Sequence, residues 1–429
     1  MVPSRTSRAH RSAPTDSARA ESLRERFLAV RARTIALCAP LSAEDQVVQP
    51  MPDASPAKWH LAHTTWFFEA FVLGGEPFDP AFEFLFNSYY ESVGPRVPRP
   101  RRGMLTRPGL DRIHAYRADV DHRVVAALQG GALGDDACAR LELGLHHEQQ
   151  HQELILTDAK YVLGTQTLVP AYRALARGEP GPPTPLTWRS ETGGIVEIGA
   201  PASGFAFDNE RPRHRVLVPP YRIASRPVAN AEVLAFIADG GYRDPRLWLS
   251  DGWQLVRAER WTAPLYWSER DGEHAIYDLA GVRAVDPGET ACHLSLYEAD
   301  AIARWLGARL PTEAEWEHAA TQGTLHLRSN FADAERLHPD RAPAAGPGQL
   351  TQLFGDVWEW TASSYAAYPG FRPLPGALAE YNGKFMSGQY VLRGGSCFTP
   401  ADHIRPSYRN FFPAHARWQM TGVRLASDP

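Results

Sequence analysis

The sequence predicts two domains in one chain, a four-helix bundle followed by an α+β domain. Three observations carry that expectation. Long stretches of helical periodicity lie before Gly164. A break rich in proline and glycine follows. Beyond it, short apolar runs alternate with Gly, Pro and Asp turns, and Trp and Tyr are frequent.

The first twenty residues, Met1–Ala20, are rich in Ser, Arg and Ala and lack the apolar core of a secretory signal, so a disordered leader is expected there. Ala20–Cys38 puts Leu23, Phe27, Val30, Thr34 and Leu37 on one helical face. Ser55-Pro56 opens a second helix, with Ser as N-cap and Pro at the first helical position. It runs to Leu73, where Gly74-Gly75 ends it. A third helix is expected over Leu110–Gln129 and a fourth over Asp135–Leu163, ended by Gly164. Together they make an antiparallel bundle spanning 21–177. The connection Phe82–Thr106 is long and rich in Pro and Arg, the kind of segment that carries function in a compact domain.

Gly178–Pro185 holds four prolines and two glycines, which no helix accommodates, so 178–187 reads as a linker and 188–429 as the second domain. There Ile195–Ile198, Arg215–Val218 and Tyr390–Arg393 read as strands. Asn230–Ala238 and Leu296–Trp305 read as helices, and a third helix starts near Pro311-Thr-Glu313.

Composition removes several function classes. The chain is 44% hydrophobic and 22% charged, with a net charge of −4, so no basic stripe for nucleic acid is expected. No run of 18 apolar residues exists, so no transmembrane helix is expected either. The four cysteines, Cys38, Cys138, Cys292 and Cys397, are scattered without a C-x-x-C pair. They read as small buried hydrophobes in a reducing, cytoplasmic setting.

The sharpest local signal is His147-Glu-Gln-Gln-His151 in the fourth helix. Residues i and i+4 sit about 6 Å apart along a helix and nearly on one face, so two imidazoles so placed can share a metal ion. They lie on the stripe Leu143, His147, Gln150, His151, Leu154, Asp158, expected to face into the bundle. One helix supplies two ligands, so a third comes from elsewhere. Helix two offers His63 in Lys58-Trp-His-Leu-Ala-His63, on a face shared with Trp59, Phe67 and Ala70. Alone, such a histidine is usually structural; opposite a His-x3-His it becomes the third ligand. His60 and His146 fall on other faces, and Glu153 is placed to orient a ligand imidazole. Three neutral imidazoles suit Zn, Fe, Cu or Ni, and the spacing does not choose among them. His-Glu-x-x-His also matches the zinc-peptidase helix, with Glu148 as general base. The metzincin continuation fails, because Leu154 and Thr157 replace the required Gly and His. A thermolysin-type downstream glutamate would be Glu179, inside the linker.

Trp59-His-Leu-Ala-His63 and His147-Glu-Gln-Gln-His151-Gln-Glu153 resemble the DinB-like bundle of the ergothioneine-biosynthesis sulfoxide synthases, the hercynine oxygenases. The second half resembles the formylglycine-generating-enzyme (sulfatase-modifying) fold, a C-type-lectin-like α+β domain. It carries Pro227-Val-Ala-Asn-Ala, Arg309-Leu-Pro-Thr-Glu-Ala-Glu-Trp316-Glu, Gly355-Asp-Val-Trp-Glu-Trp360-Thr, Leu392-Arg-Gly-Gly-Ser396 and Gly422-Val-Arg-Leu-Ala426. Each of these alone marks only the fold; combined with the three-histidine bundle they are specific to the family.

The resemblance implies Fe(II) held by His63, His147 and His151, with O2 and hercynine, the trimethylammonium betaine of histidine, as substrates. Its product is a sulfoxide at imidazole C2. Three protein ligands leave three positions on an octahedral ion for thiolate, substrate imidazole and O2. It also implies that Gln150, Tyr381, Asn410 and Phe411, with Phe412 beside them, surround the trimethylammonium group. Mycobacterial-type relatives carry a tyrosine three residues before the position of Tyr381, where this chain has Leu378. Asn87-Ser-Tyr89-Tyr90-Glu91 instead matches the branch with a tyrosine pair, so Tyr90 and Tyr89 are expected to donate a proton or electron to reduced oxygen. The Arg-Asn-Trp-Asp segment, whose Asp helps hold γ-glutamylcysteine, is here Arg409-Asn410-Phe411-Phe412, so the donor site has changed. Sulfur from cysteine or γ-glutamylcysteine is expected on family frequency; the related selenoneine synthases, which join a selenosugar to hercynine, are the alternative. Arg99, Arg101, Arg102 and Arg107 are candidates to bind an anionic donor. Two rivals remain: a DinB-type metal-dependent thiol transferase and a zinc hydrolase. A copper-dependent formylglycine oxidase would need a second cysteine near Cys397, and none is there.

Overall fold

The computed structural model describes residues 16–321 and 329–429. The expected leader lies outside the described residues as far as residue 15, and α1 (Asp16–Cys38) begins earlier than Ala20. It is followed by α2 (Ala57–Phe68), the short α3 (Ala81–Phe86), α4 (Leu110–Gln129) and α5 (Asp135–Gly164). The four long helices pack on one another around Phe27, Phe67, Phe68, Tyr116 and Leu145. The second helix needs two corrections. Its last turns, Glu69–Leu73, are π-helical before Gly74 (φ 62°) ends it. Ser55 does not cap it; Pro56 holds the cap position, and the Ser55 hydroxyl accepts a hydrogen bond from Arg102 Nη1 at 2.9 Å. A buried guanidinium needs acceptors, and here it outcompetes the helix terminus.

α5 also departs from expectation. It is buried from Leu143 to Gln149 and again from Ile155 to Lys160, with no solvent face along that stretch. One side packs on α1 and α4, where Glu148 accepts from Arg31 Nη1 and Arg117 Nη2, each at 2.9 Å, and Gln152 Nε2 donates to Val30 O at 2.9 Å. The histidine stripe faces into the bundle toward α2 but not toward α1 and α4. It looks toward α2 and the second domain, and its Gln150 and Leu154 are half-buried beside a cavity. A helix buried on both sides has no polar face against which to read an apolar one.

Residues 165–187 contain no helix or strand. The second domain then runs through β1 (Trp188–Glu191), β2 (Gly194–Ile198), β3 (His214–Val218), β4 (Tyr221–Pro227), α6 (Asn230–Ala238), α7 (Ser250–Ala258), β5 (Trp267–Arg270), β6 (Glu273–Asp278), β7 (Gly281–Ala284), α8 (Leu296–Trp305), α9 (Glu313–Thr321), β8 (Trp358–Ser364), β9 (Gln389–Arg393), β10 (Asn410–Pro413), β11 (Thr421–Gly422) and β12 (Arg424–Ser427). The strands form small sheets in the orders β1-β4-β12, β10-β9-β8-β11, β2-β3 and β5-β6-β7. Their core includes the fully buried tryptophans Trp316, Trp358 and Trp360, beside a buried ion pair. Arg424 Nη2 lies 2.8 Å from Glu359 Oε1, and Trp316 Nε1 donates to Glu359 Oε2 at 2.6 Å. No described helix is long and apolar enough to cross a membrane, and all four cysteines are buried and free.

The domains meet along α5. Glu153 accepts hydrogen bonds from Trp358 Nε1 (2.6 Å), Ser396 Oγ (2.9 Å) and Thr399 Oγ1 (2.7 Å). The Gly394-Gly395 turn delivers Ser396 to that contact. Both glycines have positive φ, and a Cβ on Gly394 would stand 2.5 Å from Leu353 O. Farther along, Lys160 Nζ meets His293 Nε2 at 2.7 Å.

Inside the bundle, burial raises the Glu148 carboxyl, but Arg31 and Arg117 more than offset it and hold it at about 2. Its stabilisation is present above the ordinary value of 4.5 and is lost as pH falls through about 2. Glu148→Gln, which leaves the buried Arg117 guanidinium without a carboxylate and Arg31 with Asp121 alone, is expected to cost about 3–5 kcal/mol in urea denaturation and to flatten the acid limb of the stability profile. An unchanged denaturation midpoint would contradict this reading of the triad.

Candidate metal centre and substrate cavity

Two facing helices bring three imidazoles together. α2 contributes His63 and α5 contributes His147 and His151, one turn apart. One nitrogen from each ring lies within 4.8 Å of the other two, and His63 Nε2 is 3.3 Å from His147 Nε2. All three side chains are buried. His63 Nδ1 sits 2.6 Å from Phe86 O; a carbonyl only accepts, so Nδ1 carries the proton and Nε2 presents a bare lone pair. Burial, reinforced by His147, pushes the His63 and His151 imidazoles well below their ordinary range, and burial brings His147 to about 3. The rings are therefore neutral, the form that binds metal. Nitrogen atoms converging on one buried point fit a divalent transition ion and do not suit Mg2+ or Ca2+, which take oxygen ligands. Packing fixes the rings. His63 stacks on Trp59 at 4.5 Å with 11° between planes, Arg102 covers Trp59 at 3.4 Å, and His147 lies 4.5 Å from Phe67.

Glu153 does not orient a ligand. Its carboxylate is taken up by the second domain, where it accepts hydrogen bonds from Trp358, Ser396 and Thr399. The polar partner of a ligand ring is instead His60, which the helical wheel put on another face. Its Nδ1 meets His151 Nδ1 at 2.7 Å, and its Nε2 meets Asp158 Oδ2 at 3.0 Å.

His147 and His151 open onto a cavity of about 650 Å3 lined by both domains. Gln150, Tyr381, Asn410, Phe411 and Phe412 all line it, as the resemblance implies, and so does Tyr89. His63 lies behind the wall. Tyr90 does too: its ring packs on Phe71 (5.0 Å), Trp66 (5.7 Å) and Tyr89 (4.6 Å), and its hydroxyl is buried. The two tyrosines owe their placement to a local turn. Asn87 Oδ1 accepts from Tyr90 N at 3.1 Å while Asn87 Nδ2 donates to Tyr90 O at 3.0 Å. Glu380 clamps the same loop, accepting from the backbone of Glu91 (3.0 Å) and Ser92 (2.9 Å).

Several lining residues escaped the sequence. Phe207 stacks on Tyr381 at 5.5 Å, Tyr381 Oη donates to Gln150 Oε1 at 2.5 Å, and Gln150 Nε2 donates to Tyr408 Oη at 2.7 Å. Phe411 lies against Tyr365 at 4.0 Å. No local pattern marks Phe207 or Tyr408; both come from irregular segments whose place is set by domain docking. Of the four arginines proposed for the donor, Arg99 and Arg102 line the cavity, together with Arg96, while Arg101 and Arg107 do not. The tight helical turn at Arg99–Met104 sends neighbouring side chains in different directions. Arg102 is buried, and its contacts are Ser55 Oγ and Ser88 Oγ, each at 2.9 Å. Nε has no partner, and among the described residues no carboxylate pairs with it.

Comparison with known proteins agrees with this architecture. The sulfatase-modifying factor enzyme 1-like domain family matches residues 191–429, and the DinB superfamily matches residues 26–155. The hercynine oxygenase of Mycolicibacterium thermoresistibile is 36% identical over 407 residues, covering 88% of this chain and 88% of its own. The hercynine oxygenase of Mycobacterium tuberculosis is 34% identical over 424 residues, covering 93% of this chain and 96% of its own. The ergothioneine biosynthesis protein 1 of Schizosaccharomyces pombe is 27% identical over 234 residues, covering 52% of this chain and 28% of its own.

The cluster makes a direct prediction. His63→Ala, His147→Ala and His151→Ala are each expected to abolish stoichiometric metal binding after anaerobic reconstitution, measured by elemental analysis. Full occupancy in all three variants would refute the site.

Proposed function

The chain belongs to the hercynine oxygenase family, and from that premise we propose that it is a mononuclear non-haem iron enzyme that uses O2 to form a carbon–sulfur bond at imidazole C2 of hercynine. The product is the sulfoxide of ergothioneine biosynthesis. The observation that carries this reading is the cluster of three buried imidazoles set in the wall of a cavity that both domains build. Fe(II) held by His63, His147 and His151 would supply the redox chemistry with O2. A thiol transferase on the bundle alone would not use the second domain's wall. A zinc hydrolase would need Glu148 at the metal, whereas its carboxylate is locked between Arg31 and Arg117 inside the bundle.

The protein's own part is binding, orientation and proton placement. The trimethylammonium group of hercynine is received by the faces of Tyr381 and Phe411 and by the amides of Gln150 and Asn410, with Phe412 beside them. The Tyr381 hydroxyl is turned toward Gln150, so it does not compete for space with the cation. Tyr89 borders the cavity, and burial raises its phenol above the ordinary range, so it keeps its proton until the reaction calls for one. Tyr90 supports it from behind. The donor is a thiol carrying a carboxylate, cysteine or γ-glutamylcysteine. Burial, and then neighbouring Arg99, push the Arg102 guanidinium well below its ordinary range, Asp158 offsets this only in part, and a carboxylate bound there relieves it further.

The test is anaerobic Fe(II) reconstitution, then O2 with hercynine and one donor at a time, followed by mass spectrometry. A hercynine–cysteine or hercynine–γ-glutamylcysteine sulfoxide is expected. An adduct with a selenosugar alone would replace sulfur by selenium on the same scaffold, and no hercynine adduct with any donor would remove the substrate assignment. Tyr89→Phe is expected to slow adduct formation about 100-fold, or to divert the thiol to simple oxidation. An unchanged rate and product ratio would move the role to Tyr90.

A further inference from the structure

We infer that His60 and Asp158 form a positioning relay that fixes the tautomer and ring orientation of one metal ligand, His151. The inference rests on the metal reading above and adds two residues to it.

Hydrogen-bond chemistry sets the direction of the chain. Asp158 Oδ2 accepts the backbone N–H of Ser55 at 2.8 Å and faces His60 Nε2 at 3.0 Å. An oxygen already acting as acceptor calls for a proton on His60 Nε2. A neutral His60 then has a bare Nδ1. That atom lies 2.7 Å from His151 Nδ1, so His151 Nδ1 must be the donor. His151 is left with its lone pair on Nε2. The relay thus does for His151 what the Phe86 carbonyl does for His63. The difference is that a backbone carbonyl cannot be mutated away, whereas this relay is made of side chains. His147 has neither device: its Nδ1 is buried without a hydrogen-bond partner.

Asp158 is 5% exposed, and among the described residues no Lys or Arg lies within ion-pair distance of it. Arg102 acts on it at longer range, and the two are joined through Ser55. The hydrogen-bond partners of Asp158 are the Ser55 amide and His60, and among the described residues His60 in turn reaches Asp158 and the ligand ring through its side-chain nitrogens. Ser55 also accepts from Arg102, so the relay ends on the residue that holds the cavity arginine.

The full-length protein tests this with metal alone. Fe(II) affinity is measured anaerobically by chelator competition for wild type, His60→Leu, His60→Gln, Asp158→Asn and His147→Ala, each checked for folding by its thermal transition. In the Co(II)-loaded proteins, proton NMR follows the shifted, exchangeable imidazole N–H signals. His60→Leu is expected to weaken Fe(II) binding by about 10–100-fold and to broaden one N–H signal by exchange. His60→Gln, which offers an acceptor to His151 and a donor to Asp158, is expected to recover most of the affinity and the signal. Wild-type affinity and an unaltered N–H spectrum in folded His60→Leu would overturn the relay, while loss of binding in His147→Ala would leave the metal site standing. Weakening in His60→Leu that His60→Gln fails to recover, with the N–H signal intact, would also overturn it. Absence of metal binding by the wild type would overturn the site and the relay together.

Discussion

Everything at the centre of this molecule depends on α5 being buried on both sides. A helix normally has one face for the core and one for water. α5 gives one face to α1 and α4 and the other to the second domain, and its histidines sit between them on the flank facing α2. That constraint places three convergent imidazoles, able to hold a metal ion, at the seam of two domains. It also explains why the cavity is composite: the bundle supplies imidazoles and Tyr89, and the second domain supplies Tyr381, Asn410, Phe411 and Phe412. The tethers from Glu153 to Trp358, Ser396 and Thr399 keep those two halves in register.

Charge is handled differently on the two flanks. Deep in the bundle, Glu148 is neutralised by two arginines and takes no part in the cavity. At the cavity, the imidazoles are kept neutral by burial, and Arg102 stands without a carboxylate partner. Converging neutral nitrogens suit a transition-metal cation, and a guanidinium held by two serine hydroxyls suits an anion. The Arg102–Trp59–His63 stack puts these two demands within one column of rings.

Much of this was legible in the sequence because it rests on short-range rules. The i, i+4 pair in α5, the proline-rich break, the helices Leu110–Gln129, Asn230–Ala238 and Leu296–Trp305, and the strand cores at Ile195, Arg215 and Tyr390 follow from periodicity and punctuation. What escaped depends on contacts across the seam. Glu153 lies two residues from His151, close enough in sequence to suggest a ligand's partner, yet that offset turns it toward Trp358. His60 lies three residues before His63, a spacing that keeps the two on neighbouring sides of α2, so placing it on another face is an error; the approach of α5 makes it the neighbour of His151. Phe207 and Tyr408 sit in irregular backbone with no periodicity to read. Tyr89 and Tyr90 are adjacent, and the Asn87 turn with the Glu380 clamp sets which of them faces the cavity. Short exposed strands such as β5 carry too little apolar signal to be seen at all.

The most direct measurement is X-ray absorption on the anaerobic Fe(II)-reconstituted protein, before and after adding hercynine. Scattering from three imidazole rings and no sulfur in the protein alone, with a further imidazole contribution once hercynine is present, is the predicted result. A first shell containing thiolate from the protein, or one with fewer than three imidazoles, would contradict the account.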